Sequence, residues 1–116
     1  MTSYFDLSAA NDRLADLRPL LTGLRKDRDA IARSRPSLEQ PGAAEPAILA
    51  RMEAAVRQID AWGITLRDIA TGLVDFPALA SGRPIWLCWK LGEDDIAWWH
   101  ELETGLAGRR PLIELE

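Results

Sequence analysis

The sequence is poor in the residues that most often carry chemistry. It has one cysteine, one histidine, one tyrosine and two phenylalanines in 116 residues. A lone cysteine cannot close an internal disulfide, so there is no disulfide framework and no support for secretion. Paired CxxC metal motifs are excluded for the same reason, and no HExxH helix is present. No apolar run reaches the length of a membrane span, because Arg, Asp or Glu interrupts each one. The start, Met1-Thr-Ser-Tyr-Phe-Asp6, lacks the basic region and apolar block of a secretory leader. These absences lead to the expectation of a cytoplasmic protein of one domain, residues 1–116, with no membrane contact.

A strong charge of one sign is also missing. The formal net charge is −4. Residues 1–35 carry seven Lys and Arg against five Asp and Glu, residues 36–70 three against five, and residues 71–116 four against eight. Arg25, Lys26, Arg28, Arg33 and Arg35 form the one basic cluster, and Asp27 and Asp29 interrupt it. A phosphate-binding stripe needs cations gathered on one face. A mixed-sign run is better explained as a solvated helix face, so a nucleic-acid partner is not expected.

What the chain does contain is helical periodicity first and tryptophan later. After Ser8, a candidate N-cap, the apolar residues Leu14, Leu17, Leu21, Leu24 and Ile31 recur at helical spacing. Pro19 falls inside this row and predicts a kink or a restart. Arg35 to Pro46 holds three prolines and a glycine and reads as a loop. A second helix is expected from Pro46 to about residue 70. Leu49, Met52, Val56, Ile59, Gly63 and Leu66 form its stripe, and Ile48, Ala55, Trp62 and Ile69 broaden it. Such a stripe suits contact with two surfaces, one of them a second copy of the chain. Asp29 with Arg33, and Glu53 with Arg57, are spaced as helical ion pairs.

The segment Arg83 to Arg110 holds four of the five tryptophans, together with Cys88 and His100. Leu73 to Pro77 reads as an edge strand or extended segment, Ser81-Gly82 as a turn, and Ile85 to Leu91 as a strand. A four-residue loop, Gly92 to Asp95, would return the chain as a strand from Ile96 to Leu102. Asp94 as N-cap and Gly105 as a stop describe a helix over 95–104 instead. The strand is the preferred reading. It pairs Trp89 with Trp98 and Leu87 with His100, placing His100 with the core residues and Cys88 on the opposite face beside Trp99. Leu112 to Leu115 is a short apolar tail. The expected fold is therefore α+β: a long antiparallel helical hairpin (6–34 and 46–70) followed by a small antiparallel β-meander (72–116).

Four ordered motifs carry a family resemblance: Gly72-Leu-Val-Asp-Phe-Pro77, Leu87-Cys-Trp-Lys-Leu-Gly-Glu93, Trp99-His-Glu101 and Gly105-Leu-Ala-Gly-Arg109. Together they resemble the uncharacterised prokaryotic domain-of-unknown-function family 2203 over nearly the whole chain. The resemblance implies that Asp75, Glu93, His100 and Arg109 belong to the family pattern. It implies no activity.

Four constellations could carry chemistry. His100 with Glu93 and Glu101 offers imidazole and carboxylate ligands to a divalent metal, with Glu103, Asp94 and Asp95 nearby; the alternative is a core histidine bonded to backbone or to Asp75. Arg83, Arg109 and Arg110 beside Gly105 and Gly108 could hold a small anion; the alternative is ion pairs with Glu93, Glu101 or Glu103. Cys88 and His100 could form a nucleophile and base, but the expected pairing separates them. Trp86 and Trp99 beside Lys90 could stack on a flat ligand, although aromatics more often fill a core or an interface. The leading expectation is a non-enzymatic interaction or scaffolding module, homodimeric through the helices. The second is a metal- or anion-binding protein, conceivably an enzyme, whose ligand site draws on Asp75, Arg83, Glu93, His100, Glu101 and Arg109.

Overall fold

The first helix begins where a side chain satisfies its free backbone donors. In the computed structural model, which describes residues 3–33, 45–104 and 108–112, Asp6 rather than Ser8 is the cap: its carboxylate accepts from Ala9 N–H at 2.7 Å. Helix α1 spans Leu7–Arg33 without a break at Pro19. Pro19 lies on the exposed side, while Ala10, Leu14, Leu17, Leu21 and Leu24 form one buried row that runs past it. A mid-helix proline costs about 3 kcal/mol, and each fully buried leucine stabilises by about 2 kcal/mol. Four buried leucines outweigh the lost bond.

Helix α2, Glu45–Ala61, is shorter than expected, and the reason is a glycine cap. Gly63 has φ +81°. Gly63 N–H donates to Asp60 C=O at 2.9 Å and Ile64 N–H to Ile59 C=O at 3.2 Å. These are the two bonds of a Schellman motif, and the apolar contact that accompanies it is supplied by buried Ile59 and Ile64. Gly63 thus ends the helix instead of joining its stripe. Trp62 lies in the turn, and Leu66 and Ile69 fall beyond the helix. Arg51 on α2 grips Asp27 on α1 through two hydrogen bonds of 2.9 and 2.6 Å. That pair draws Asp27 out of the basic cluster and holds its carboxyl below the ordinary range, chiefly through the Arg51 hydrogen bond. Glu53 and Arg57 pair as spaced, at 3.5 Å, whereas Asp29 pairs with Arg28. Arg35 and most of the expected loop, residues 34–44, lie outside the described residues.

A five-stranded antiparallel sheet follows in sequence order: β1 Thr65–Asp68, β2 Leu73–Ala80, β3 Arg83–Lys90, β4 Trp98–His100 and β5 Arg110–Pro111. β1 was not expected, because its residues complete a helical row on paper. The apolar tail beyond Leu112 lies outside the described residues, as does Gly105. β2 is an interior strand for its first half only, since β1 ends its pairing at Asp75. Pro77 is therefore tolerated: its carbonyl faces the open side, where it accepts from Phe5 N–H at 2.8 Å, so its missing donor interrupts no ladder bond to β3.

Two glycines fix the hairpins. Ser81 and Gly82 have φ of +51° and +79°, the two left-handed residues of a type I′ turn, and Ala80 pairs with Arg83 across it. Gly72, at φ +68°, lies against Leu91, and a Cβ there would sit 2.7 Å from Leu91 Cβ. Alternation then gives the sheet two faces. Val74, Phe76, Ile85, Leu87, Trp89 and Trp99 pack with the buried row of α1 in one core. Asp75, Cys88, Trp86, Trp98 and His100 take the opposite, outer face.

The segment 98–100 is a strand, not a helix, but its register differs by one residue from the expected pairing. Trp86 opposes His100, Leu87 opposes Trp99 and Cys88 opposes Trp98. The connection from Leu91 to Ala97 is longer than a four-residue loop because it is pinned in three places. Trp89 Nε1–H donates to Asp94 C=O at 2.7 Å, Lys90 N–H to the Glu93 carboxylate at 2.9 Å, and Ile96 N–H to Asn11 Oδ1 on α1 at 2.8 Å. A one-residue slip reverses every side chain of a strand. It carries His100 from the core to the outer face and Trp99 into the core.

Gly72→Ala is expected to destabilise more than Gly82→Ala. Both substitutions pay left-handed strain of about 1 kcal/mol, but only the methyl added at Gly72 meets a neighbour. Urea unfolding of both variants measures the difference, and equal losses would show that the Leu91 contact yields freely.

Candidate functional site

Three adjacent strands each contribute one polar side chain to the same spot on the outer face. Asp75 on β2 opposes Cys88 on β3, and His100 on β4 sits diagonally from Cys88. All three are buried, Asp75 and His100 at 2% exposure and Cys88 at 1%. A half-open pocket of about 350 Å³ lies over them, walled by Arg67, Leu73, Leu102, Glu103 and Thr104. Buried groups on a face turned away from the core are explained by this wall: β1 and the turn after β4 cover them.

The His100 ring is fixed at both nitrogens. Nδ1 lies 2.7 Å from the Glu101 backbone carbonyl. A carbonyl only accepts, so Nδ1 carries a hydrogen. Nε2 then faces both oxygens of Asp75, each at 3.1 Å. In a neutral ring Nε2 is a lone pair, and a lone pair against a carboxylate is repulsive. The contact requires a proton or another cation between them. Asp75 also accepts from Arg67 Nε–H at 2.8 Å, and that guanidinium stacks on Trp86 at 5.0 Å. Arg67 is half exposed and forms the rim of the pocket.

Cys88 is not an activated nucleophile. Burial, reinforced by the Asp75 carboxylate, pushes its thiol up to about 11, against the pull of the neighbouring Arg109 guanidinium. Arg109 Nη2–H donates to Glu93 at 2.6 Å, and Arg109 lies over Trp98 at 5.0 Å. Burial alone would raise the Glu93 carboxyl, but hydrogen bonds from Arg109 and from Lys90 N–H hold it below its ordinary value. Arg109 Nε is buried with no hydrogen-bond partner among the described residues.

The structure therefore divides the expected site residues. Asp75 and His100 come together, with Cys88 as a third member, because the register carries His100 from the expected core face to the outer face where Cys88 was expected. Glu93 and Glu101 are not beside His100 as ligands. Glu93 pairs with Arg109, and Glu101 accepts from Arg83 at 2.7 Å. The pairs Arg83–Glu101 and Arg109–Glu93 are those weighed against an anion site, and each guanidinium of the two already has its carboxylate. Arg110 lies over Trp99 at 5.6 Å. Trp86 and Trp99, expected side by side, occupy opposite faces. Arg67 was missed altogether, because its strand was read as helix. Among the described residues, Asp75, Cys88 and His100 form the one group of potential metal-ligating side chains close enough to share an ion, their donor atoms lying within 4.8 Å of one another.

Because Cys88 is the single cysteine, its environment can be read directly. Native protein at pH 7.5 is expected to resist iodoacetamide for hours and to take up one equivalent in urea. Rapid labelling of the folded chain, followed by mass spectrometry, would contradict a buried neutral thiol.

No curated protein and no solved structure shows significant similarity to the chain. The family model described as "Uncharacterized conserved protein (DUF2203)" matches residues 3–112, which contain both helices, the whole sheet and all three clustered residues, and the chain belongs to that family.

Proposed function

We propose that the protein is a small-ligand-binding protein whose site is the outer-face pocket over Asp75, Cys88 and His100. The observation that supports this is convergence without catalytic freedom. Polar groups from three strands meet at the floor of a pocket of about 350 Å³, at the small end of ligand-pocket volumes. Yet both His100 nitrogens are engaged, and Cys88 is held as a thiol. Neither a general base nor a nucleophile is available, so holding a ligand is what the arrangement can do. We place the protein in the cytoplasm, where a lone thiol stays reduced.

Thermal melting against a panel of divalent metals, phosphate and small carboxylates tests this. A ligand present at 100 times its Kd stabilises by about 2.7 kcal/mol, a rise of several degrees for a chain of this size. The rise should vanish in Asp75→Asn. That variant is itself expected to melt lower, because it leaves Arg67 and His100 without their buried counter-charge. A panel that leaves the wild-type melting point unmoved would end the proposal.

A second reading concerns assembly. The two helices form an antiparallel hairpin, and its outer stripe, on α2, meets a second copy of the chain. The supporting observation is that α2 buries only Ile59, while Leu49 and Val56, on the same stripe, are 50% and 37% exposed. Light scattering at micromolar concentration should give twice 12.9 kDa, and Leu49→Asp with Val56→Asp should give half that mass with unchanged helicity. A monomeric wild type would refute it.

A further inference from the structure

We infer that the ligand of the outer-face pocket is a divalent transition metal of intermediate softness, such as Zn²⁺ or Fe²⁺, held by the Asp75 carboxylate, the Cys88 sulfur and His100 Nε2. This rests on the pocket being a binding site, and it names what is bound. One oxygen, one nitrogen and one sulfur are a donor set that suits Zn²⁺, Fe²⁺ and Co²⁺, and poorly suits Mg²⁺ or Ca²⁺, which favour oxygen alone.

Four features of the geometry carry the inference independently of composition. First, each ligand comes from a different strand of one sheet, so the three are positioned by backbone pairing and not by a loop. Second, the spacing is close to that of a coordination shell. Tetrahedral zinc places its N and O ligands about 3.3 Å apart, and His100 Nε2 lies 3.1 Å from each Asp75 oxygen. The sulfur, within 4.8 Å of both, needs a movement of about 1 Å.

Third, the outer partners are those a metal centre uses. His100 gives its Nδ1–H to the Glu101 carbonyl, which orients the ring and leaves the Nε2 lone pair aimed at Asp75. Arg67 binds Oδ2 of Asp75 and leaves Oδ1 for an ion. Arg109 stands beside the sulfur, its buried Nε without a hydrogen-bond partner among the described residues. Fourth, the charge is largely offset: a divalent ion with one carboxylate and one thiolate leaves only the Arg67 guanidinium in excess, and that group is half exposed while Asp75 and His100 are 3% exposed. On binding, the Cys88 S–H proton passes to solvent and a metal–sulfur bond replaces it. The ion also supplies the positive charge that the contact between Nε2 and the carboxylate demands.

Three protein ligands leave a fourth position. It opens to the pocket, where water or a small anion can bind beneath the Arg67 guanidinium. This unites metal and anion in one site, with the metal as the anchor.

Titration of the full-length, chelator-treated protein with Co²⁺ is the test, because Co²⁺ reports its own ligands. One equivalent should produce visible d–d bands of four-coordinate intensity and a near-ultraviolet sulfur-to-metal charge-transfer band, both removed by Zn²⁺. Cys88→Ser, which keeps size and fold, should lose the charge-transfer band and bind at least 10-fold more weakly. An unchanged spectrum in Cys88→Ser would overturn the assignment, since the ion would then sit elsewhere. Should Co²⁺ and Zn²⁺ give neither bands nor a melting shift while phosphate or a carboxylate does, the metal is wrong and the pocket stands. Should no probe bind, both fall.

Discussion

The two-residue turn at Ser81-Gly82 is the constraint from which the rest of the sheet follows. A type I′ turn admits one register, and eight cross-strand pairs from Leu73↔Lys90 to Ala80↔Arg83 are set by it. Each pair has a parity. Val74, Phe76 and Ala78 share a face with Trp89, Leu87 and Ile85, and that face can bury only against the leucine row of α1. The same parity sends Asp75 and Cys88 outward together. A turn longer by one residue would place a carboxylate in the core and an aromatic in water. Site and core are therefore two consequences of one register, and neither can be altered without the other.

Two arginines near the site already have their carboxylates: Arg83 has Glu101, and Arg109 has Glu93. Asp75 has Arg67 on one oxygen, which would neutralise it, but it also faces an imidazole nitrogen whose partner nitrogen already holds the ring hydrogen. The remaining demand is for a positive charge between two lone-pair-bearing groups in a place nearly closed to water. A surface cation cannot answer it, because the side chains are buried. Only a proton or an ion of small radius fits.

Much of the architecture was legible in the sequence, and the failures have specific causes. The α1 row was readable because its five buried residues follow helical spacing over several turns. The strands expected within 73–77, 85–91 and 96–102, and found at Leu73–Ala80, Arg83–Lys90 and Trp98–His100, were readable from β-branched and aromatic content around a strong turn. The end of α2 was not, because Gly63 fits both a continuing stripe and a cap; which one holds is decided by the local bonds from Gly63 and Ile64 to Asp60 and Ile59, which the apolar spacing does not encode. β1 vanished with that error, and with it Arg67. The site failed by one residue. Loop length sets parity, and the length of the β3–β4 connection depends on Asn11, 85 positions away from Ile96, which no local pattern contains. Asp75 and His100 were still legible as rare polar residues in apolar company. Cys88 was expected on the outer face and lies there; His100 was the member assigned to the wrong side, solely by parity.

The tryptophans that dominate the C-terminal half have two different tasks, and the sheet separates them. Trp89 and Trp99 fill the core. Trp86 and Trp98 lie outward, and each carries a guanidinium at 5.0 Å, Arg67 and Arg109 respectively. A cation–π contact of this kind contributes about 0.5–1 kcal/mol, little for stability. Its effect is on position. Arginine has many rotamers, and a flat platform beneath the fork removes most of them before any ligand arrives. The two guanidiniums so fixed stand beside Asp75 and Cys88, a carboxylate and a neutral thiol. The indoles thus act on the site through arginine, holding one guanidinium against the Asp75 carboxylate and the other where it pulls against the burial that keeps Cys88 protonated.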